Sequence, residues 1–459
     1  MINNFNLLAK TKNALSCKNL SDIKFLFGKW IIFPVIDWHY RERIFTILKT
    51  FWLFLYQVLL PNISCREAVR KSIISLYLKK NIKPSTNTAS YCNARSKLPE
   101  GFLRKILSAL INTGEKLAEN SYLWHGRCVK VVDGSSVSMP DTVANQKKYP
   151  QHSGQKEGCG FPIARLMCIF SLTTGIMLEC LWDSFKVSEK TLFRKLWKTL
   201  KRGDVLLGDR NFSTYYDIWF LHFKFGVDCV MRQRDKLTRS IEKIKNISKG
   251  DRIILWHKSK IKPDWIDKDT YDNIPECFKI REITYYIEEP GFRSKKVILF
   301  TTMLDWKLYP KESFAEIYLK RWKVELFLNS IKITMGMETL KCKSPQMIDK
   351  EIIMHIIAYN LIRMLIYQAS EIHNVPIDRI SFKGAVVTIK YFYPYFENCK
   401  DNKTFTKYME KMLQIIADDK IPHRPNRIEP RAIKKRLKRF QLLTKPRSVF
   451  KEDPHRGNK

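Results

Sequence analysis

Apolar residues recur at helical spacing through the first quarter of the chain. Stretches such as DIKFLFGKW, ERIFTILKTFWLFLYQVLL and SCREAVRKSIISLYLKK place them three or four positions apart, with turn signals at PN and KPSTN between them. This spacing predicts amphipathic and buried helices. We therefore predict a helical region over residues 1–118. Its most apolar run, TFWLFLYQVLLP, is only about half a membrane span, so we expect a buried helix there.

From about residue 124 the pattern changes to short, β-rich segments separated by Gly or Pro. RCVKVVDGSSVSM, ARLMCIFSLTTG and IMLECLWDSF predict three consecutive strands. A helix in SEKTLFRKLWKTLKRG, a strand in VLLGD, a helix in STYYDIWFLHFKFG and a strand in DCVMRQR follow. This β-β-β-α-β-α-β order predicts a mixed α/β domain, whose first part spans residues 119–235.

Residues 236–293 interrupt that alternation. They hold the strand-like pieces RIILWHK and REITYYIEE and no long helix, so we predict a β-rich insertion. KKVILFTTML then resumes the α/β domain, whose second part spans residues 294–375 and contains two long helical patterns. Residues 376–459 are predicted to be a helical, basic C-terminal region.

Two aspartates follow apolar strands of the predicted α/β domain. Asp133 follows CVKVV and precedes Gly134, so we expect the chain to turn there, and Asp209 follows VLLG. Either one alone could mark the point where a strand reaches water. Together with a third carboxylate they would suit hard divalent cations, because Mg²⁺ prefers oxygen ligands held on rigid elements.

The third carboxylate is Glu325, in the helical stretch YLKRWKVELFLNSIK. At about 100° per residue it shares one narrow stripe with Tyr318, Arg321 and Lys332. The opposite side of this helix is apolar, as a core-facing surface would be: Ile317, Val324, Phe327, Leu328 and Ile331. A surface ion pair between Arg321 and Glu325 is the alternative interpretation, worth about 0.2–0.5 kcal/mol.

The charge of the chain points to a polyanionic partner. Lys and Arg total 82 and Asp and Glu total 45, a net charge of +37, which favours nucleic acid and leaves anionic membrane as the other candidate. The basic residues cluster in REAVRKS, LKKNIK and RAIKKRLKR. Eleven scattered cysteines without a CxxC pair indicate reduced thiols in the cytosol, and the N-terminus lacks the apolar core of a signal peptide.

These features together resemble a known family. VVDGSS around Asp133, LLGDRNF around Asp209 and a Tyr-(2)-Arg-(3)-Glu-(6)-Lys signature are similar to the DDE transposases of bacterial insertion sequences, in the insertion sequence four family. The signature residues are Tyr318, Arg321, Glu325 and Lys332. FWLFLYQVLLPNISCREAV, ASYCNARSKLP and EPRAIKKRLKRFQLLTKPR also resemble flanking regions of that family, so the resemblance spans nearly the whole chain.

The resemblance implies a fold and a reaction. The fold is an RNase H-like, mixed-sheet catalytic core with a β-rich insertion, flanked by helical N- and C-terminal regions. The reaction is metal-dependent cut-and-paste transposition, in which cleavage of the element's 3′ ends precedes strand transfer into target DNA. Two Mg²⁺ or Mn²⁺ ions would be held by Asp133, Asp209 and Glu325. The side chains implied to contact DNA are Tyr318, Arg321, Lys332 and Arg210.

The same resemblance implies partners and a location. Double-stranded DNA, as terminal inverted repeats and as target, would be bound by a homodimer in a synaptic complex, in the bacterial cytoplasm and associated with the nucleoid. We expect no membrane and no nucleotide cofactor. Residues 1–118 would read the element ends, and residues 376–459 would help to pair two protomers.

Three points stay open in the sequence. An RNase H-like nuclease that hydrolyses DNA without strand transfer is one alternative, and a catalytically decayed, DNA-binding remnant is another. Family members that excise through a DNA hairpin carry a Trp, which stacks on a flipped base, in the strand before the signature helix. KKVILFTTML contains no Trp, so Trp256 and Trp265 of the insertion are the candidates to replace it, with a core or surface role as the alternative for each.

Overall fold

The N-terminal part of the chain is helical, as its apolar spacing predicts. The computed structural model describes residues 30–35, 44–60, 63–80, 85–119, 123–233, 241–287, 296–397 and 401–422, with single positions at 27, 399, 443, 445, 446 and 449. The helices of this part are α1 (Ile47–Leu59), α2 (Cys65–Lys80), α3 (Ala89–Lys97) and α4 (Glu100–Glu119). The predicted helix in DIKFLFGKW lies almost wholly outside the described residues.

A mixed sheet follows these helices. Its first five strands are β1 (Val129–Ser138), β2 (Ile163–Ser171), β3 (Met177–Ser184), β4 (Val205–Gly208) and β5 (Asp228–Arg232). They lie side by side in the order β3-β2-β1-β4-β5, where β1, β2 and β3 are antiparallel neighbours and β1, β4 and β5 run parallel. This order confirms the RNase H-like core. Helices cross over between the parallel strands, as parallel pairing requires.

The insertion continues the same sheet. Its strands are β6 (Ile241–Ser248), β7 (Asp251–His257) and β8 (Cys277–Tyr286), with the short helix α8 (Lys268–Asn273) between β7 and β8. β8 pairs with β9 (Lys296–Thr301), and β9 pairs antiparallel with β5. The β-rich insertion is thus confirmed, and among the described strands it extends one nine-stranded sheet.

Among the described residues, five shorter helices lie between the strands of the core or follow them in the chain. They are α5 (Val143–Lys148), α6 (Glu189–Leu196), α7 (Tyr215–Trp219), α9 (Lys311–Leu319) and α10 (Lys323–Asn329). Of these helices, α6 and α10 pack on the sheet. α6 is capped by the Ser188 hydroxyl, which accepts the Thr191 N–H. α7 ends in a π-helical turn, so the helix predicted in STYYDIWFLHFKFG is present.

One long helix, α11 (Pro345–His373), joins the helical regions to the sheet. It contacts α1 and α4 on one side, and α12 (Phe382–Glu397) and α13 (Asn402–Asp418) on the other. Its most apolar window is long enough to cross a membrane, yet 89% of that window is buried inside the protein, which makes it a core helix. Asn360 attaches it to β3 through two hydrogen bonds of 2.9 Å to the backbone of Met177.

Most of the basic C-terminal tail lies beyond the described segments. Residues 423–442, which include RAIKKRLKR, belong to it, and predictions about this cluster stay predictions.

Candidate active site

Asp133 lies within β1, and the predicted turn after it is wrong. β1 continues to Ser138, and Gly134 stays paired with β2. The parallel pairing between β1 and β4 ends just before Asp133, because its last pair joins Val131 to Leu207. The Asp133 side chain therefore lies beside the place where β4 ends, and it is half-buried.

Asp209 directly follows β4 and lies level with Asp133. Because residue 131 pairs with residue 207, the same parallel register carried two residues further brings 133 opposite 209. Neighbouring strands are about 4.8 Å apart, so the two aspartates are neighbours across the strands. A backbone N–H orients each of them: Gly134 donates to Asp133 Oδ1 at 2.8 Å, and Asn211 donates to Asp209 Oδ1 at 2.7 Å.

Glu325 is carried by a helical segment that packs against β1. α9 passes through a 3₁₀ turn, Lys320–Trp322, into α10, and α10 ends in a π-helical turn, Ser330–Thr334. The face predicted to be apolar is buried: Ile317, Val324, Phe327, Leu328 and Ile331. The Phe327 ring lies 5.5 Å from the Phe170 ring of β2, which fixes α10 over the sheet.

Two hydrogen bonds fix the ends of this segment beside the aspartates. The buried Tyr318 hydroxyl donates to the carbonyl of Gly208 at 3.1 Å, directly before Asp209. Lys332 Nζ donates to Ser135 Oγ at 3.0 Å, two residues after Asp133. Glu325 lies between these two contacts, in the first turn of α10, with its side chain 52% exposed.

The pKa of Asp133 shows that the three carboxylates act on one another. The pKa of Asp133 is raised to about 6, chiefly by burial and in smaller part by the negative charges of Asp209 and Glu325. The Gly134 N–H and the guanidinium of Arg321 oppose the increase. Asp133 therefore has both other carboxylates and one arginine within electrostatic range.

Arg321 and Glu325 form a loose ion pair in which the arginine is buried and the glutamate is half-exposed. The Arg321 side chain is only 10% exposed, and its Nη2 lies 3.9 Å from Glu325 Oε1. The guanidinium packs against the rings of Tyr318 and Trp322, at 5.6 and 5.3 Å from their centroids. Its Nε–H finds no hydrogen-bond acceptor among the described residues. A buried cation thus lies beside Glu325 and within electrostatic range of Asp133.

The donor set is suited to hard divalent cations. Three carboxylates from two strands and one helix approach a common region, and oxygen is the donor that Mg²⁺ and Mn²⁺ prefer. Within the described segments, however, no three His, Cys, Asp or Glu side chains are already grouped tightly enough to hold one ion.

Comparison with known proteins agrees with this geometry. A family model described as a transposase DDE domain matches residues 124–361, which is more than half of the chain. The chain belongs to this DDE transposase family. It is also similar to the transposase InsG for insertion sequence element IS4 of Escherichia coli (strain K12), with 21% identity over 370 residues, covering 79% of this chain and 80% of InsG.

A solved structure also resembles this transposase. It is the piggyBac transposase synaptic complex with hairpin DNA, with 11% sequence identity, a TM-score of 0.47, and coverage of 89% of this chain and 88% of that one. The family match and the similarity to InsG confirm the sequence-based assignment to the insertion sequence four family, and with it DNA transposase activity.

Arg210, predicted to contact DNA, and the two tryptophans considered for base stacking differ in their exposure to solvent. Arg210 is exposed directly after Asp209. Trp256 is 2% exposed and packs against the rings of Phe278 in the insertion and Phe300 in β9, so it could stack on a base only by leaving the core. Trp265 is partly exposed, and the Arg194 guanidinium lies 3.9 Å from its ring centroid. Sequence patterns missed Ser135, because only the fold brings it to Lys332.

The raised pKa of Asp133 predicts a pH-dependent stability. An acid whose pKa is higher in the folded state destabilises the fold as pH rises from about 4, the unfolded value, to about 6. Asp133→Asn lacks this charge. We expect it to stabilise the metal-free protein by on the order of 2 kcal/mol above pH 6, with the gain shrinking toward zero near pH 4.

Thermal unfolding in a chelating buffer at several pH values measures this gain. Asp272→Asn, at an exposed position of the insertion, is the matched control and should give no pH-dependent difference. A gain that is the same at every pH would contradict the assignment of a buried, charge-coupled carboxylate at position 133.

Proposed function

We propose that this transposase moves its element by cut-and-paste transposition, with Asp133, Asp209 and Glu325 as its catalytic residues. The element's 3′ ends would be cut first and then joined to target DNA at the same site. The observation that carries this proposal is the electrostatic coupling of Asp133 to both other carboxylates, where β4 ends beside β1. The fold supplies the rigid elements that such positioning needs.

In this proposal the three carboxylates hold two divalent ions, Mg²⁺ or Mn²⁺. Bound ions would stabilise the charge that develops on the attacking and leaving oxygens during phosphoryl transfer. The protein's own contribution is orientation. Backbone N–H groups aim the two aspartates, and the clamps at Tyr318 and Lys332 hold Glu325 opposite them.

We assign the neighbouring cations to the DNA backbone. The Arg321 guanidinium offers a planar fork that suits a phosphate, and Lys332 offers a point charge. Arg210 is exposed at the same edge of the sheet. Tyr318 is buried, and its hydroxyl is hydrogen-bonded to the Gly208 carbonyl. We therefore assign Tyr318 to positioning the turn that carries Asp209. Its effect on DNA binding would be indirect, through that turn.

A basic groove on the part of the sheet formed by β6 to β9 is the proposed path for DNA toward the active site. It has a volume of about 1210 Å³, and six of its lining residues are cationic: Arg232, Lys243, Lys249, Arg252, Lys296 and Lys311. Tyr286, which is 64% exposed, also lines it. Cations that follow a backbone, together with an exposed aromatic ring, are the features of a surface for nucleic-acid strands.

The groove is linked to the signature segment through Tyr285, another of its lining residues. Burial raises the pKa of Tyr285, and its interaction with Tyr318 raises it further, while Arg232 and Arg321 lower it. Tyr285 therefore lies within electrostatic range of Tyr318, whose hydroxyl contacts the residue before Asp209. We propose that a DNA strand held in the groove continues past this segment.

Removing the exposed lysines of the groove should change the salt dependence of DNA binding. We expect the combined variant Lys243→Ala, Lys249→Ala and Lys296→Ala to flatten the slope of log K against log salt by about 2–3, since each phosphate contact contributes about 0.9. Fluorescence anisotropy with element-end DNA measures this slope. The matched control replaces Lys403, Lys407 and Lys411, on the exposed face of α13. Equal slopes for both variants would remove the groove from DNA binding.

The flanking regions complete the proposal. The N-terminal helices would read the terminal inverted repeats, and the C-terminal region would help to pair two protomers in a synaptic complex, in the bacterial cytoplasm at the nucleoid. InsG is named as the transposase of an insertion sequence element, which agrees with element ends as the substrate. Truncation before Arg424 is expected to weaken paired-end complexes more than single-end binding.

Strand transfer tests the proposed function. The purified protein is incubated with Mg²⁺, labelled DNA that carries the element's end sequence, and a supercoiled target plasmid. The proposal predicts free 3′-OH ends followed by covalent joining of these ends to the plasmid. Cleavage without joining would favour the nuclease alternative, and binding without cleavage would favour the decayed remnant.

A further inference from the structure

A fourth carboxylate, Glu189, lies against residues next to both proposed catalytic aspartates. Glu189 is the first residue of α6, which follows β3 in the chain. Its Oε2 accepts a hydrogen bond of 2.9 Å from Asn211 Nδ2. Its Oε1 and Cδ lie 3.1 and 3.2 Å from the point where a Cβ at position 134 would be. The carboxylate thus bridges the turn after Asp209 and the backbone beside Asp133.

The two residues that Glu189 contacts are the ones that orient the aspartates. The Asn211 N–H donates to Asp209 Oδ1, and the Gly134 N–H donates to Asp133 Oδ1. The orientation of each aspartate therefore depends on a backbone N–H, and both of the residues that supply these N–H groups contact Glu189. β4 ends at Gly208, so no backbone pairing with β1 holds the Asp209 turn beyond that point.

The contact also accounts for the glycine at position 134. Any side chain there would have its Cβ 3.1–3.2 Å from Glu189 and from Met167 Cε, which is tighter than ordinary van der Waals contact. Glycine weakens the interior of a strand, so its presence here needs a reason such as this close approach. A missing side chain lets the glutamate reach the strand backbone at the position of Asp133.

We propose that Glu189 is a positioning residue, which fixes Asp133 and Asp209 relative to each other for binding divalent ions. This inference rests on the proposed function, because it takes the two aspartates as metal ligands. The glutamate acts through Asn211 and Gly134 and need not touch an ion itself. Misplacing a ligand by a fraction of an ångström weakens ion binding, as the loss of residues that orient metal ligands commonly does by 10–100-fold.

A purely structural role in α6 is the competing explanation. A glutamate in the first turn of a helix interacts favourably with the helix dipole, and its loss would lower stability without changing the metal requirement. Ser188→Ala separates the two, because it removes the N-cap of the same helix and leaves both contacts of Glu189 intact.

The test is a double-mutant cycle with Glu189→Ala and Asn211→Ala in the full-length protein. Three quantities are measured: the affinity for Mn²⁺ by titration calorimetry without DNA, the Mg²⁺ concentration that gives half-maximal cleavage, and the unfolding temperature in chelator. We expect each single variant to lose about 10-fold or more in Mn²⁺ affinity, with a matching rise in the Mg²⁺ requirement. The double variant should be no worse than the worse single one, because the two residues act as one unit.

Several controls decide the outcome. Glu189→Gln keeps the length and one acceptor oxygen, so it should restore most of the loss, and Ser188→Ala should lower the unfolding temperature without changing Mn²⁺ affinity. Should Glu189→Ala fail to fold, Asn211→Ala alone must still weaken Mn²⁺ binding. Wild-type Mn²⁺ affinity in Asn211→Ala, additive losses in the double variant, or a Glu189→Gln variant as poor as Glu189→Ala would each overturn the proposal.

Failure of this inference can be told apart from failure of the proposed function. If Glu189 is not a positioning residue, Asp133→Asn still abolishes cleavage while Glu189→Ala keeps the wild-type metal requirement. If the proposed catalytic residues are wrong, Asp133→Asn itself cleaves DNA normally.

Discussion

Asp133→Asn, Asp209→Asn and Glu325→Gln are each expected to lower the rate of DNA strand cleavage by about 10³-fold or more. A thousandfold loss corresponds to about 4 kcal/mol of transition-state stabilisation, which is within what bound ions supply in phosphoryl transfer. Each substitution removes one anionic ligand while keeping nearly the same side-chain volume. Binding to element ends should change little, because the groove and the other cations are untouched.

Single-turnover cleavage and anisotropy with the same DNA measure the two effects separately. Glu316→Gln is the matched control for Glu325→Gln, because Glu316 is an exposed glutamate of α9 in the same helical segment. It should cleave at the wild-type rate. Near-normal cleavage by any of the three variants would mean that the replaced residue is not a metal ligand.

Lys332→Ala is expected to slow cleavage by about 10–100-fold without unfolding the protein. Lys332 holds the π-helical turn against Ser135 of β1, so its loss frees one end of the segment that carries Glu325. It also removes a cation that is held two residues from Asp133, where we expect a phosphate. Adding Arg321→Ala should deepen the loss, since Arg321 is buried beside Glu325 and within electrostatic range of Asp133.

Lys320→Ala is the matched control for Lys332→Ala. Lys320 lies in the 3₁₀ turn of the same segment and is exposed. Cleavage rates, DNA affinity and unfolding temperatures are compared for the wild type, Lys332→Ala, the double variant with Arg321→Ala, and Lys320→Ala. Wild-type cleavage by the Arg321→Ala, Lys332→Ala double variant would show that these cations serve only the packing of the helix.

The sequence predicts the core strands well because their patterns are local. VLLG before Asp209 is an uninterrupted apolar run, as a strand buried on both faces requires, and β4 is buried throughout. The turn predicted after Asp133 is wrong for a physical reason. Gly134 suggests a turn, yet its missing side chain makes room for Glu189 from a helix more than fifty residues away, which no local pattern reveals.

Two other features depend on tertiary structure in the same way. β6 escapes prediction because its apolar residues, Ile241, Ile244 and Ile247, are three positions apart, as in a helix. The register with β7 shifts twice along this strand, and each bulge adds a residue that breaks the two-residue alternation. The 3₁₀ and π turns around Glu325 likewise accompany the contacts of Tyr318 and Lys332 with the sheet.

Asp133, Asp209 and Glu325 are proposed to hold the divalent ions of the transposase jointly. Anomalous diffraction from Mn²⁺ would locate these ions in crystals of the full chain bound to DNA with an element end already cut. We expect manganese peaks about 2.1 Å from carboxylate oxygens of all three residues, with two ions about 3.5–4 Å apart. Peaks that omit one of the three carboxylates, or that lie elsewhere in the protein, would contradict the proposal.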